Sequence, residues 1–138
     1  MRPHKELKHL ISKLSPRLNE GDYVFVSVKS TKEFSRSMVL FEFKEKEGTT
    51  IVLSQKAADQ YNLKYTFIAC WITLEVYSSL NAIGLTAAIS TALTKHEIPC
   101  NIVAGYHHDH LFVRKELAAQ TMSVLRNLSS QGESEENL

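Results

Sequence analysis

Four consecutive residues, His107, His108, Asp109 and His110, form the densest group of metal-ligating and acid-base side chains in the chain. Imidazole and carboxylate together can hold a divalent cation, or act as a base and its orienting partner. On an extended segment His108 and His110 share one face while His107 points away, so few ligands converge without help from another element. Zinc-type spacings such as Cys-x-x-Cys or His-Glu-x-x-His are absent. The simpler reading makes His110 a partly buried hydrogen-bonding residue of a hairpin, with His107 and His108 at its rim, and expects no metal and no cofactor. A hydrolase or transferase built on Asp109 with His110 is the enzymatic alternative. It lacks support from any Gly-x-Ser-x-Gly, phosphate-binding Gly-rich loop or pair of catalytic carboxylates, so a non-enzyme is expected.

A second group offers binding chemistry. Ser78-Ser79-Leu80-Asn81-Ala82-Ile83-Gly84 is a polar, small-residue loop that opens into a helix with Leu85, Ala88, Ile89, Ala92, Leu93 and His96 on one face. Free backbone N-H groups and the positive end of the helix dipole near Gly84, Leu85 and Thr86 can hold a carboxylate. Ser78, Ser79 and Asn81 add side-chain donors and acceptors. Asp109, placed at a hairpin turn beside His110, can pair with an ammonium group. Carboxylate at one end and ammonium at the other describe an amino acid. On this reading Gly84 lets the ligand approach the backbone, and Gly84→Val would block binding without disturbing the fold. The competing reading is that Gly84 and Thr86 start a helix and Asp109 makes a turn.

The elements that position these groups follow from periodicity. Leu7, Leu10, Ile11 and Leu14 form one stripe of a helix that stops before Pro16. Tyr23 to Val28 is a β-branched and aromatic strand, and Met38 to Lys44 and Thr49 to Leu53 make a hairpin around Lys46-Glu47-Gly48. Ser54 caps a short helix through about Tyr61. Ile68 to Tyr77 is a long buried strand, Pro99 stops the helix that follows the Gly84 loop, and Cys100 to Gly105 pairs with His110 to Val113 across a turn at Tyr106 to Asp109. A last helix begins near Lys115. The chain also overlays on itself: Leu7, Leu10, Ile11, Val24 and Phe25 fall on Leu85, Ala88, Ile89, Ile102 and Val103, and Ile51, Val52, Leu53, Ala58 and Gln60 on Leu111, Phe112, Val113, Ala118 and Gln120. Each unit reads helix, strand, hairpin, strand, helix, with a longer connection in the first. From Ile68 to Leu128 the order is ferredoxin-like short of its last strand. The fold class expected is α+β: a ferredoxin-like antiparallel sheet with helices on one face, completed by two interdependent repeat units at residues 1–64 and 65–128. Residues 129–138 are expected to be a disordered acidic tail, with a solvated helix extension as the alternative.

Ala69-Cys70-Trp71-Ile72-Thr73-Leu74, the Gly84-Leu85-Thr86 helix start and the Asp109-His110-Leu111-Phe112-Val113 strand resemble an uncharacterised bacterial family of small tandem ACT-like proteins. The Gly-Leu-Thr and Asp-His-x-x-Val motifs are also similar to those of the ACT-type cytosolic arginine sensors of eukaryotes. The resemblance is strong in the second half and looser in the first. It implies an ACT-like fold and a regulatory module that binds amino acids or related small molecules, usually at a dimer or pseudo-dimer interface, without doing chemistry.

Composition narrows the partners. Sixteen basic against fifteen acidic residues in 138 leave a net charge of +1, too little for the long-range field of a non-specific nucleic-acid or anionic-membrane binder. Phe41 and Phe43 with Lys44 and Lys46 come nearest to an RNA-binding surface, but Glu42, Glu45 and Glu47 cancel the charge. Charges within the apolar pattern of Met1 to Leu14 do not suit a secretory segment, and no apolar run is long enough to span a bilayer. Cys70 and Cys100 sit in apolar stretches and read as structural free thiols. The expectation is a cytoplasmic, ligand-binding regulatory protein that forms a homodimer and contacts neither nucleic acid nor membrane. A structural or protein-interaction module without ligand is the alternative.

Overall fold

Short strands joined by turns and three apolar-striped helices must bury their faces against one another, and the chain solves this with one continuous sheet. The computed structural model describes residues 3–75 and 84–136. In chain order the elements are α1 (Pro3–Ser12), β1 (Pro16–Leu18), β2 (Tyr23–Val28), β3 (Val39–Lys44), β4 (Thr49–Ser54), α2 (Gln55–Gln60), β5 (Ala69–Leu74), α3 (Leu85–Lys95), β6 (Asn101–Ala104), β7 (Asp109–Arg114) and α4 (Ala118–Glu136), the last entered through a short 3-10 turn. Ser54 caps α2 as its position suggests, its hydroxyl accepting from the Ala57 N-H at 3.1 Å.

The seven strands run in the order β3-β4-β2-β5-β7-β6, with β1 also pairing with β5. The missing strand of the second unit is thereby supplied by the first. β1 lies antiparallel to β5 with Arg17 opposite Thr73, and after a bend at Asn19 to Asp22 the chain re-enters the sheet as β2. Gly21 sits in that bend with φ +102°, a conformation L side chains rarely adopt. β2 then meets β5 at a single register pair, Tyr23 with Ala69, before running alongside β4. The two halves share β5 but touch through a narrow seam.

The internal repeat is visible in three dimensions. β2 pairs with β4, and β6 with β7. The register differs by two residues between the copies, which leaves every side chain on its own face. The longer connection of the first copy contains β3, which becomes the edge strand beyond β4.

The four helices of the described residues lie on one face. Ile11 and Leu14 from the α1 region, Leu85, Ile89 and Leu93 from α3, and Met122, Val124 and Leu125 from α4 pack with Ile72, Leu74, Leu111 and Val113. Ala57 and Ala58 of α2 cover Val24, Val26, Ile51 and Leu53. The N-terminal helix therefore packs on the core of the C-terminal unit. Ser129, where the sequence suggests disorder, is still helical: α4 continues to Glu136, and the Ser129 hydroxyl donates to the Ser12 carbonyl at 3.3 Å. Leu128 packs against the same core, and once a helix is anchored each further residue adds a hydrogen bond at little nucleation cost.

The opposite face carries aromatics. Phe112 is only 2% exposed there although no helix among the described residues covers it. Phe25, Phe41 and Phe67 surround it, with Phe25 5.5 Å from Phe112 and stacked on Phe67 at 5.8 Å. A sheet curled toward this side brings the rings together.

Candidate functional site

The β5 strand ends at Leu74, opposite Asp109, and the chain returns to the described residues at Gly84. Ser78, Ser79 and Asn81 lie outside the described residues. Gly84 has φ +88°, which favours glycine, and precedes α3, whose N-terminus has no side-chain cap. The first helical bond runs from the Ala88 N-H to the Gly84 carbonyl at 2.8 Å, so the preceding amides of Leu85, Thr86 and Ala87 have no partner within the helix. Leu85 is buried in the core, whereas Thr86 is exposed. A Cβ on Gly84 would approach Leu7 Cδ2 of α1 to 3.2 Å. Together with the positive φ, this contact means that a side chain at position 84 is strained, so Gly84→Val carries a stability cost beside any effect on binding.

Asp109 is the first residue of β7 and not part of the turn, which ends one residue earlier. The turn closes by the Gly105 N-H bonding to the His108 carbonyl at 2.9 Å. Strand parity then places Asp109 with Leu111 and Val113 on the helix side. It is 9% exposed. Among the described residues no donor reaches its carboxylate, and burial pushes its pKa above the usual carboxylate range while His110 and His108 pull it back.

His110 alternates to the other face. Its Nδ1 accepts from the Trp71 indole N-H at 3.0 Å and lies 3.1 Å from the Thr73 hydroxyl. The structure thus separates two residues that the sequence reading placed in one ligand site: Asp109 stays with the α3 end of the sheet, and His110 belongs to the aromatic face. Burial, then His108 and Arg17, hold the His110 pKa down against Asp109. His108 Nδ1 is buried without a partner among the described residues, and Tyr106 is 94% exposed beside His107 at the hairpin tip. Among the described residues no three His, Cys, Asp or Glu side chains converge as metal ligands. Cys70 and Cys100 are free thiols whose pKa burial raises, which disfavours the reactive thiolate.

Sequence reasoning missed Asn19, Trp71 and Thr73, which form a polar network with His110. Its signal was present: Trp71 and Thr73 sit at alternate positions of a strand, and so share a face. A further cavity, about 650 Å³, lies over α3 and α4 with Leu7, Gly84, Ala88, Ala92, Val124 and Leu128 in its lining. It touches Gly84 from the α1 side and does not reach Asp109.

Residues 3–70 match one ACT domain family model and residues 67–127 match a second. The chain belongs to the ACT domain family. As a tandem ACT protein it is similar to a Vibrio cholerae protein of unknown function, described as a possible transport protein, whose crystal structure shares 40% identity over 93% of this chain and 99% of that one, with a TM-score of 0.84. An Agrobacterium tumefaciens protein matches at 14% identity and TM-score 0.68 over 84% of this chain and 89% of its own. The ligand-free regulatory subunit of aspartate kinase from Thermus thermophilus matches at 5% identity and TM-score 0.60, over 84% of this chain and 98% of that one. At these last two identities the likeness is one of fold. No curated protein sequence matches. ACT domains are regulatory, ligand-binding and non-catalytic modules. No helix among the described residues is long and apolar enough to cross a membrane.

Proposed function

We propose that this tandem ACT protein is a non-catalytic, cytoplasmic regulatory module that binds a free amino acid at the α3 end of its C-terminal unit. The carrying observation is the Asp109 carboxylate, on the helix side of the sheet with no donor among the described residues. It stands opposite the last residue of β5, from which the connection to α3 departs. In this reading Asp109 receives the ligand ammonium, and the amides of Leu85 and Thr86, which have no partner within α3, receive its carboxylate. Gly84 shapes that helix start. Ser78, Ser79 and Asn81 contribute hydrogen bonds from the connection. His110, on the other face, is not part of the set.

A homodimer accompanies this reading. β6 is an end strand of the sheet, and Asn101 to Ala104 carry no charge to deter pairing with a second copy. β3, at the opposite end, is guarded by Glu42, Lys44 and a register shift between Val39 and Phe41.

A thermal-shift screen tests the ligand class. Free amino acids are compared with the corresponding amines and with the corresponding carboxylic acids lacking the amino group. A ligand at about 100 times its Kd should stabilise by about 2.7 kcal/mol. Stabilisation by an amino acid, lost when either charged group is removed, supports the proposal; no stabilisation by any amino acid contradicts it.

A further inference from the structure

The indole N-H of Trp71 can only donate, so its 3.0 Å bond fixes His110 Nδ1 as an acceptor and leaves the proton of the neutral ring on Nε2. The Thr73 hydroxyl accepts from Asn19 Nδ2 at 2.8 Å, which directs its own proton toward the same Nδ1, 3.1 Å away. Asn19 also donates to the Trp71 carbonyl, through its side chain at 3.2 Å and its main-chain amide at 2.9 Å. These bonds run from the end of β1 across β5 to β7. The seam at which β2 meets β5 through one register pair, Tyr23 with Ala69, lies beside these bonds, and the edge-on contact of Tyr23 with Trp71 at 5.6 Å crosses it.

We propose that His110 is a proton-operated latch beside this seam: protonation at Nδ1 turns an N-H against the Trp71 N-H, releases the indole and loosens its edge contact with Tyr23 at the start of β2. Thr73 can reverse its hydroxyl and accept from the imidazolium, but the indole cannot. The groups around the ring have been placed. Arg17 of β1, opposite Thr73, is held by Glu75 at 2.9 Å. His108 comes from the hairpin, and Asp109 adjoins on the same strand with its side chain on the other face. From β5 the ring meets uncharged Trp71 and Thr73, and from β6 Val103 stands opposite. Burial, His108 and Arg17 oppose the charged ring and Asp109 favours it, so the latch is closed at neutral pH and opens below the ordinary histidine range.

The chain has a single tryptophan, which makes Trp71 fluorescence a direct reporter. The full-length protein should show a fluorescence transition as pH falls below the ordinary histidine range. In the same range hydrogen exchange should quicken at the start of β2, around Tyr23, and not in the β3-β4 pair. His110→Asn, whose Oδ1 takes the place of Nδ1 as the acceptor, should lose the transition, and His108→Gln should keep it. A transition that survives His110→Asn, or a flat wild-type curve, overturns the proposal. Should His110→Asn fail to fold, Trp71→Phe decides by NMR titration of the His110 ring: a raised midpoint supports the latch, and an unmoved one overturns it.

Discussion

Phe41 and Phe112 meet with ring centroids 5.5 Å apart although β4, β2 and β5 lie between the strands that carry them. Adjacent strands are about 4.8 Å apart, so a flat sheet would hold β3 and β7 about 19 Å apart, more than two phenyl groups can span. The contact requires the sheet to curl toward its helix-free side, and Phe112 is the centre on which it closes. Phe112→Ala should therefore behave as a core truncation, costing about 3 to 5 kcal/mol in urea unfolding. Phe43→Ala, on the same edge strand as Phe41 but 68% exposed, should stay within about 0.5 kcal/mol. Equal losses would mean that the aromatic face is not a core.

The two ACT units should prove inseparable. Ile11 and Leu14 are buried with Leu74, Leu111 and Leu125, and β1 completes the sheet beside β5. A fragment comprising residues 65–138 loses both the covering helix and the neighbouring strand. It should show no cooperative thermal transition by circular dichroism, and a sharp transition near that of the whole chain would refute the interdependence.

Gly84 should be sensitive for two separable reasons. Its positive φ costs a non-glycine residue about 1 to 2 kcal/mol, and a Cβ would crowd Leu7. Gly84→Ala should lower stability by at least that amount. Leu7→Ala should cost less in the Gly84→Ala background than in the wild type, because the crowding is relieved there. Additive losses in the double-mutant cycle would remove Leu7 from the account.

Much of this architecture was legible. Apolar periodicity located the helices and the strands other than β1, Ser54 marked its cap, and the overlay of Leu7 on Leu85 and of Ile51 on Leu111 announced two units. What periodicity could not supply were contacts between elements distant in sequence. The stripe of α1 showed that it would be buried, not that α4 and α3 would bury it, and the curl depends on Phe41 meeting a residue four strands away. The site suffered from a smaller error with a larger effect. The turn ends at His108 and not at Asp109, and because strand side chains alternate, one residue decides which face each group takes. That boundary put Asp109 among the helices and His110 against Trp71.

The most direct test of the amino-acid site is Asp109→Asn, followed by thermal melting with and without the amino acids. Burial raises the folded-state carboxyl pKa above its unfolded value. The folded protein then binds more protons than the unfolded chain just above the ordinary carboxylate range, and stability falls as pH rises through the folded pKa. Where the carboxylate is ionised its burial is a cost that the ligand ammonium would offset. Asp109→Asn should accordingly melt higher than the wild type when free, and should lose the ligand-induced shift. An Asp109→Asn protein that retains the full shift contradicts the site.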